Sequence, residues 1–178
     1  MIGGIIKRAE VYIREIVFGL EDSLVSTLGV VTGVAVAVDE SNVVIVTGCV
    51  LLVVEAVSMA ASSYLSSKSE LEIKTRNKKR KPGNYSPIIS GIVMGGFYLF
   101  GGIFPMVPYI FLGVNDALVP SVILTVLALF GFGFVKAEYV GKHPLVSSIE
   151  MTVVSLSACA IGYAIGRLAS LFFGFNVY

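Results

Sequence analysis

Five long apolar runs, separated by short polar breaks, organise this chain. A membrane crossing needs roughly 20 apolar residues at about 1.5 Å of helix each. On that measure the runs predict transmembrane helices at about 16–38, 43–65, 87–112, 117–135 and 145–172. Residues 1–15 are mixed: Ile5, Ile6, Val11, Tyr12 and Ile13 alternate with Lys7, Arg8, Glu10 and Arg14. That pattern predicts a short amphipathic helix lying at the membrane interface. Residues 66–86 are polar and basic, and read as a loop.

Composition agrees with the pattern. Of 178 residues, 56% are hydrophobic and 14% charged, with mean hydropathy +0.88. A soluble domain carries about 25% charged residues. The expectation is an all-α integral membrane protein, with residues 1–178 forming a single transmembrane domain. The N-terminal segment does not read as a secretory signal, because charges interrupt it and no apolar core leads to a cleavage site.

The charges are segregated, and this sets the expected orientation. Lys7, Arg8 and Arg14 precede the first span. Lys68, Lys74, Arg76, Lys78, Lys79, Arg80 and Lys81 lie between the second and third, and Lys136 and Lys142 at the fourth-to-fifth connection. The connections at 39–42 and 113–116 have neither Lys nor Arg. The positive-inside rule then puts the N-terminus in the cytoplasm and the C-terminus outside. A net charge of +1 gives no reason to expect a nucleic-acid partner. Cys49 and Cys159 sit in apolar runs and read as small core residues. No zincin His pair, Gly-x-Ser-x-Gly elbow or P-loop is present, so no enzyme activity is expected.

Against this apolar background two carboxylates stand out. Leu24 to Val38 is too short a helix to cross a core about 30 Å thick, so the first span must reach back and carry Asp22 in with it. Asp22 then lies about 9 Å from the cytoplasmic end. Counting back along the antiparallel second span puts Met59 at about 9 Å and Glu55 at about 15 Å. Glu150, in the fifth span, comes out about 8 Å down. Ionisable groups at such depth are costly and mark ion or proton paths by default.

The faces are consistent. Glu55, Ser58, Met59, Ser62 and Ser66 recur at three- and four-residue spacing and form one stripe. Gly29-x-x-x-Gly33, Gly91-x-x-x-Gly95 and Gly162-x-x-x-Gly166 allow close helix approach. Carboxylate, hydroxyl and thioether donors together suit a first-row divalent metal better than Mg²⁺ or Ca²⁺. The expected metal ligands are Asp22, Met59, Glu55, Ser58 and Glu150. Asp22 and Glu55 can also take up protons when the metal leaves. Glu70 and Glu72 are the acidic residues at the expected cytoplasmic entrance. A transporter is one class these residues define. A non-transporting scaffold or assembly subunit, whose carboxylates pair helices, is the other.

The motifs resemble those of the vacuolar iron transporter family of divalent metal/proton exchangers. Gly19-Leu-Glu-Asp-Ser-Leu-Val-Ser26, running into Gly29 and Gly33, is similar to that family's first-helix pattern. Ala56-Val-Ser-Met-Ala60, Tyr64-Leu-Ser66 and Lys68-Ser-Glu70 resemble its second-helix pattern. Phe104-Pro-Met-Val-Pro-Tyr109 is similar to its Pro-x-x-Pro-Tyr break in the third helix. Gly133-Phe-Val-Lys136 and Gly162-Tyr-Ala-Ile-Gly-Arg167 resemble its fourth- and fifth-helix ends.

The resemblance implies five spans and a homodimer with the path at its two-fold interface. It also implies Fe²⁺ or Mn²⁺ moved out of the cytosol against protons, as cargo rather than as a resident cofactor. Asp22 and Met59 match the family's path-lining Asp and Met. Three departures stand out. Ser23 replaces a Gly. Glu55 lies one turn, about 5 Å, beyond the family's second-helix Glu position near Leu51. The family's long Glu- and Met-rich cytoplasmic insert is missing from 66–86. This short form suggests a prokaryotic cytoplasmic membrane, or the vacuolar membrane if the source is eukaryotic.

Overall fold

The computed structural model describes residues 11–38, 40–76, 85–141 and 143–173. They form five α-helices: α1 Ile13–Ala37, α2 Ser41–Arg76, α3 Pro87–Phe111, α4 Val114–Val140 and α5 Pro144–Phe173. Each is long and apolar enough to cross a membrane. The first ten residues, where most of the interfacial helix was expected, lie outside the described residues.

Helix α1 is the centre of the bundle and packs against all four others. Its most apolar stretch is 61% buried, against 39% or less in the other helices. A helix enclosed on all sides buries more than one stripe, so small and polar residues go inside with the leucines. Gly19, Ser23, Thr27 and Thr32 are buried beside Leu20, Leu24 and Leu28. By contrast, Val46, Val50, Val53, Val54 and Val57 of α2 are exposed. Such an apolar outer surface suits lipid rather than water.

Close packing depends on the small residues. On α1, Gly29 and Gly33 face Gly162 and Gly166 of α5. A methyl added at Gly33 would lie 2.9 Å from the Gly162 carbonyl oxygen, inside van der Waals contact. Gly91 and Gly95 of α3 pack against the backbone of Ala60 and Ala56 on α2. Two of the three Gly-x-x-x-Gly motifs therefore meet each other, and the third meets an Ala-x-x-x-Ala stripe.

Three expectations need correction. The second span does not give way to a loop at residue 66, since α2 continues to Arg76. At 36 residues it is about 54 Å long, well beyond a core of about 30 Å. Polar residues end an apolar run without ending a helix. Glu70 and Lys74 pair at i,i+4, and Thr75 Oγ1 donates to the Leu71 carbonyl at 2.8 Å. At the other end of the bundle-forming sequence, Ile13, Arg14 and Glu15 belong to α1 rather than to a separate interfacial helix. Finally, Cys49 is exposed on the outside of α2, whereas Cys159 contacts Thr32 at 3.6 Å.

The third helix runs unbroken through Pro105 and Pro108. Each proline lacks the N–H that would bond one turn back. Ser121 of α4 donates to the Pro105 carbonyl at 2.6 Å, tying this segment to its neighbour. The turn after α4 carries Gly141 at φ 70°, a left-handed conformation that glycine adopts without a Cβ clash.

Candidate functional site

Ser26 and Glu55 meet across α1 and α2, with Ser26 Oγ donating to Glu55 Oε2 at 3.3 Å. Tyr98 of α3 closes the triangle. Its hydroxyl donates to the same Glu55 oxygen and lies 2.7 Å from Ser26 Oγ. Tyr98 is fully buried, and Ser23 Oγ donates to its backbone carbonyl at 2.5 Å. The phenol is thus fixed at both its ring and its backbone. No sequence signal singles out Tyr98, since Tyr109 of the same helix is as deeply buried and its hydroxyl has no partner among the described residues.

The register of that contact places the other residues. Asp22 precedes Ser26 by four residues, and Met59 follows Glu55 by four. In antiparallel helices this brings Asp22 and Met59 to one level, with the Ser26–Glu55 contact one turn away. Asp22 is half-buried and makes no hydrogen bond or ion pair among the described residues. The charges that act on it are the carboxylates of Glu55 and Glu21. Glu21, its neighbour in sequence, turns to the other side and pairs with Lys136 of α4 at 3.3 Å. One of two adjacent carboxylates is therefore neutralised by the protein and the other is not.

Toward the end of the bundle where α1 begins lies a cavity of about 160 Å³ between α1, α2 and α3. Glu15, Met59 and Met94 line it, with Ser62, Ser63, Ser66 and Ser67 of α2. Glu15 is buried, at 4% exposure. Its Oε1 accepts hydrogen bonds from Tyr85 at 3.0 Å and Ser90 at 2.9 Å. Sequence reading assigned Glu15 to the interfacial segment and so missed a carboxylate two helical turns from Asp22.

The remaining expected ligands lie elsewhere. Ser58 is exposed, beside the stripe that runs through Glu55, Met59 and Ser62. Glu150 is next to Met151, which packs with Leu24 of α1. Its side chain, however, is on the outer surface, among Ile149, Val153 and Val154. The buried stripe of α5 is Ser147, Ser148, Met151 and Ser155, and Glu150 falls off it. Glu70 is exposed and paired with Lys74, and Glu72 is exposed. Among the described residues no group of three or more His, Cys, Asp and Glu side chains converges. Any metal would meet a sparse, mixed set of oxygen and sulfur donors.

Five helices that are each long and apolar enough to cross a membrane define an integral, multi-pass membrane protein. The sequence profile of the VIT family matches residues 13–84 and 78–167, and the chain belongs to that family. It is similar to vacuolar iron transporter 1 of Arabidopsis thaliana, at 24% identity over 88% of this chain and 85% of the relative. Vacuolar iron transporter of Centaurea cyanus is 24% identical over 90% and 89% of the two chains. Vacuolar iron transporter homolog 3 of Arabidopsis thaliana is 30% identical over 91% and 84%. The first two alignments span 213 and 219 positions, more than the 178 residues of this chain, so those relatives carry residues that it lacks. The two stretches of the profile match meet at 78–84, between α2 and α3. That is where the missing insert is expected.

Proposed function

We propose that this chain is a membrane transporter that moves Fe²⁺ or Mn²⁺ out of the cytosol in exchange for protons. The observation that carries the proposal is the Asp22 carboxylate, half-buried within the first apolar helix, without a hydrogen-bond or ion-pair partner among the described residues, and within electrostatic reach of Glu55. Such a charge is favourable only when a cation or proton occupies the site. The curated relatives support the cargo, being named as iron transporters over most of both chains. Met59, level with Asp22, adds the sulfur donor that favours a first-row ion.

The basic end of α2, with Lys74 and Arg76, faces the cytosol in this reading. Asp22 and Glu55 are only partly covered in the single chain. A second copy packed against α1 and α2 would finish enclosing them, which supports a path at a two-fold interface. Protons and metal then compete for Asp22, and exchange follows from that competition. Glu55 supports a second role. Its bonds to Ser26 and Tyr98 tie α1, α2 and α3 together, so it acts as a helix-pairing group as well as a proton acceptor.

The test is uptake of Fe²⁺, Mn²⁺ and Ca²⁺ into proteoliposomes with and without a pH gradient. Fe²⁺ or Mn²⁺ uptake that increases with the gradient is expected, with Ca²⁺ poorly carried. A non-transporting scaffold would give no uptake of any of the three.

A further inference from the structure

Glu15 is the one charged side chain that is fully buried among the described residues. No cation pairs with it among them. Both of its hydroxyl donors, Tyr85 and Ser90, go to Oε1. Ser90 is itself held by Ser63 at 2.8 Å and by Ser67 at 2.9 Å, and Ser67 by Tyr85 at 2.6 Å. This belt fixes one oxygen of the carboxylate and, among the described residues, leaves Oε2 without a hydrogen bond. A buried carboxylate so held, beside a cavity of about 160 Å³ that serine hydroxyls also line, has room for a partly hydrated ion.

The donors around that cavity are of two kinds. Glu15 and the hydroxyls of Ser62 and Ser66 supply oxygen, and Met59 and Met94 supply thioether sulfur. Oxygen and sulfur together suit a first-row divalent cation. Arg14, at the rim, interacts electrostatically with Glu70 of α2. Met59 belongs both to this cavity and to the level of Asp22, about 10 Å further along α1.

We propose that the Glu15 cavity is a second divalent-cation station, formed by α1, α2 and α3 of a single chain and open on one side, from which Met59 passes the ion to Asp22. The proposal rests on the transport reading above and adds a site about 10 Å along α1 from Asp22. A single carboxylate holds the ion weakly. Conduction requires that, because the ion must leave as readily as it arrives.

The test is Co²⁺ and Mn²⁺ binding to the purified full-length protein in detergent, by equilibrium dialysis. Two classes of Co²⁺ site are expected in the wild type. Glu15→Gln removes one class and leaves the class that Asp22→Asn removes. Met94→Leu, which keeps the volume and deletes the sulfur, weakens the Glu15-dependent class several-fold for Co²⁺ and less for Mn²⁺. That difference between metals would not arise from a purely structural role. Wild-type binding in both Glu15→Gln and Met94→Leu overturns the station, and wild-type binding in Met94→Leu alone does so if Glu15→Gln fails to fold. A single class abolished by Asp22→Asn also overturns it while leaving the transport reading intact. Absence of any Co²⁺ binding to the wild type overturns both.

Discussion

Ser26 on α1 donates to Glu55 on α2 at 3.3 Å, and that contact sets the register on which the functional reading depends. Four residues along each antiparallel helix from it, Asp22 and Met59 come level. The oxygen and sulfur donors are therefore juxtaposed by helix packing rather than by a binding loop.

Among the described residues, Asp22 makes no hydrogen bond or ion pair to another helix. Asp22→Asn is expected to fold with a melting temperature equal to or above that of the wild type, because it removes an unpaired carboxylate from a partly buried site. Thermal unfolding in detergent checks this. A fall of several degrees would favour the scaffold reading, in which the carboxylate holds helices together.

Glu21 should behave differently from its neighbour. Its partner Lys136 is only partly buried, each side chain being 27% exposed, so the pair is worth about 1 kcal/mol or less. Glu21→Gln is expected to lower stability by that amount and to retain transport. Metal flux in proteoliposomes, measured beside the melting temperature, separates the two adjacent residues.

Tyr98→Phe keeps the ring and deletes the hydroxyl that Glu55 and Ser26 share. Hydrogen bonds between membrane helices average about 0.6 kcal/mol and reach about 1.7. A destabilisation of about 1 kcal/mol is expected from denaturation of the variant. No loss would mean that Glu55 finds another donor.

Gly162→Val is expected to prevent the approach of α1 and α5, because Gly162 packs directly on the Gly29 backbone. Overpacking costs about 1–3 kcal/mol where neighbours can yield, and backbone yields least. Size-exclusion profiles of the detergent-solubilised variant should show aggregated or poorly folded protein. A monodisperse, wild-type-like profile would contradict the packing account.

The spans were legible because an apolar run long enough to cross a bilayer has few other uses, and Asp22 because the first span is too short without it. What escaped was whatever run length and depth counting do not measure. Helix α2 continues past residue 65 because Glu70, Lys74 and Thr75 are compatible with helix even though they are polar. Glu15 was hidden by its charged neighbours, Arg14 among them, which made the segment look interfacial. Depth counting could not give the direction of Glu150. The side chain faces outward because the inward stripe of α5 passes through Ser147, Met151 and Ser155. Tyr98 was passed over because one aromatic ring in an apolar helix looks like any other until its hydroxyl has a partner.

The most direct test of the central claim is Mn²⁺ uptake into proteoliposomes under an imposed pH gradient, comparing the wild type with Asp22→Asn. Gradient-dependent uptake with counter-movement of protons is expected of the wild type, and background uptake of a variant that melts no lower. Equal, gradient-dependent uptake by the two proteins would contradict it.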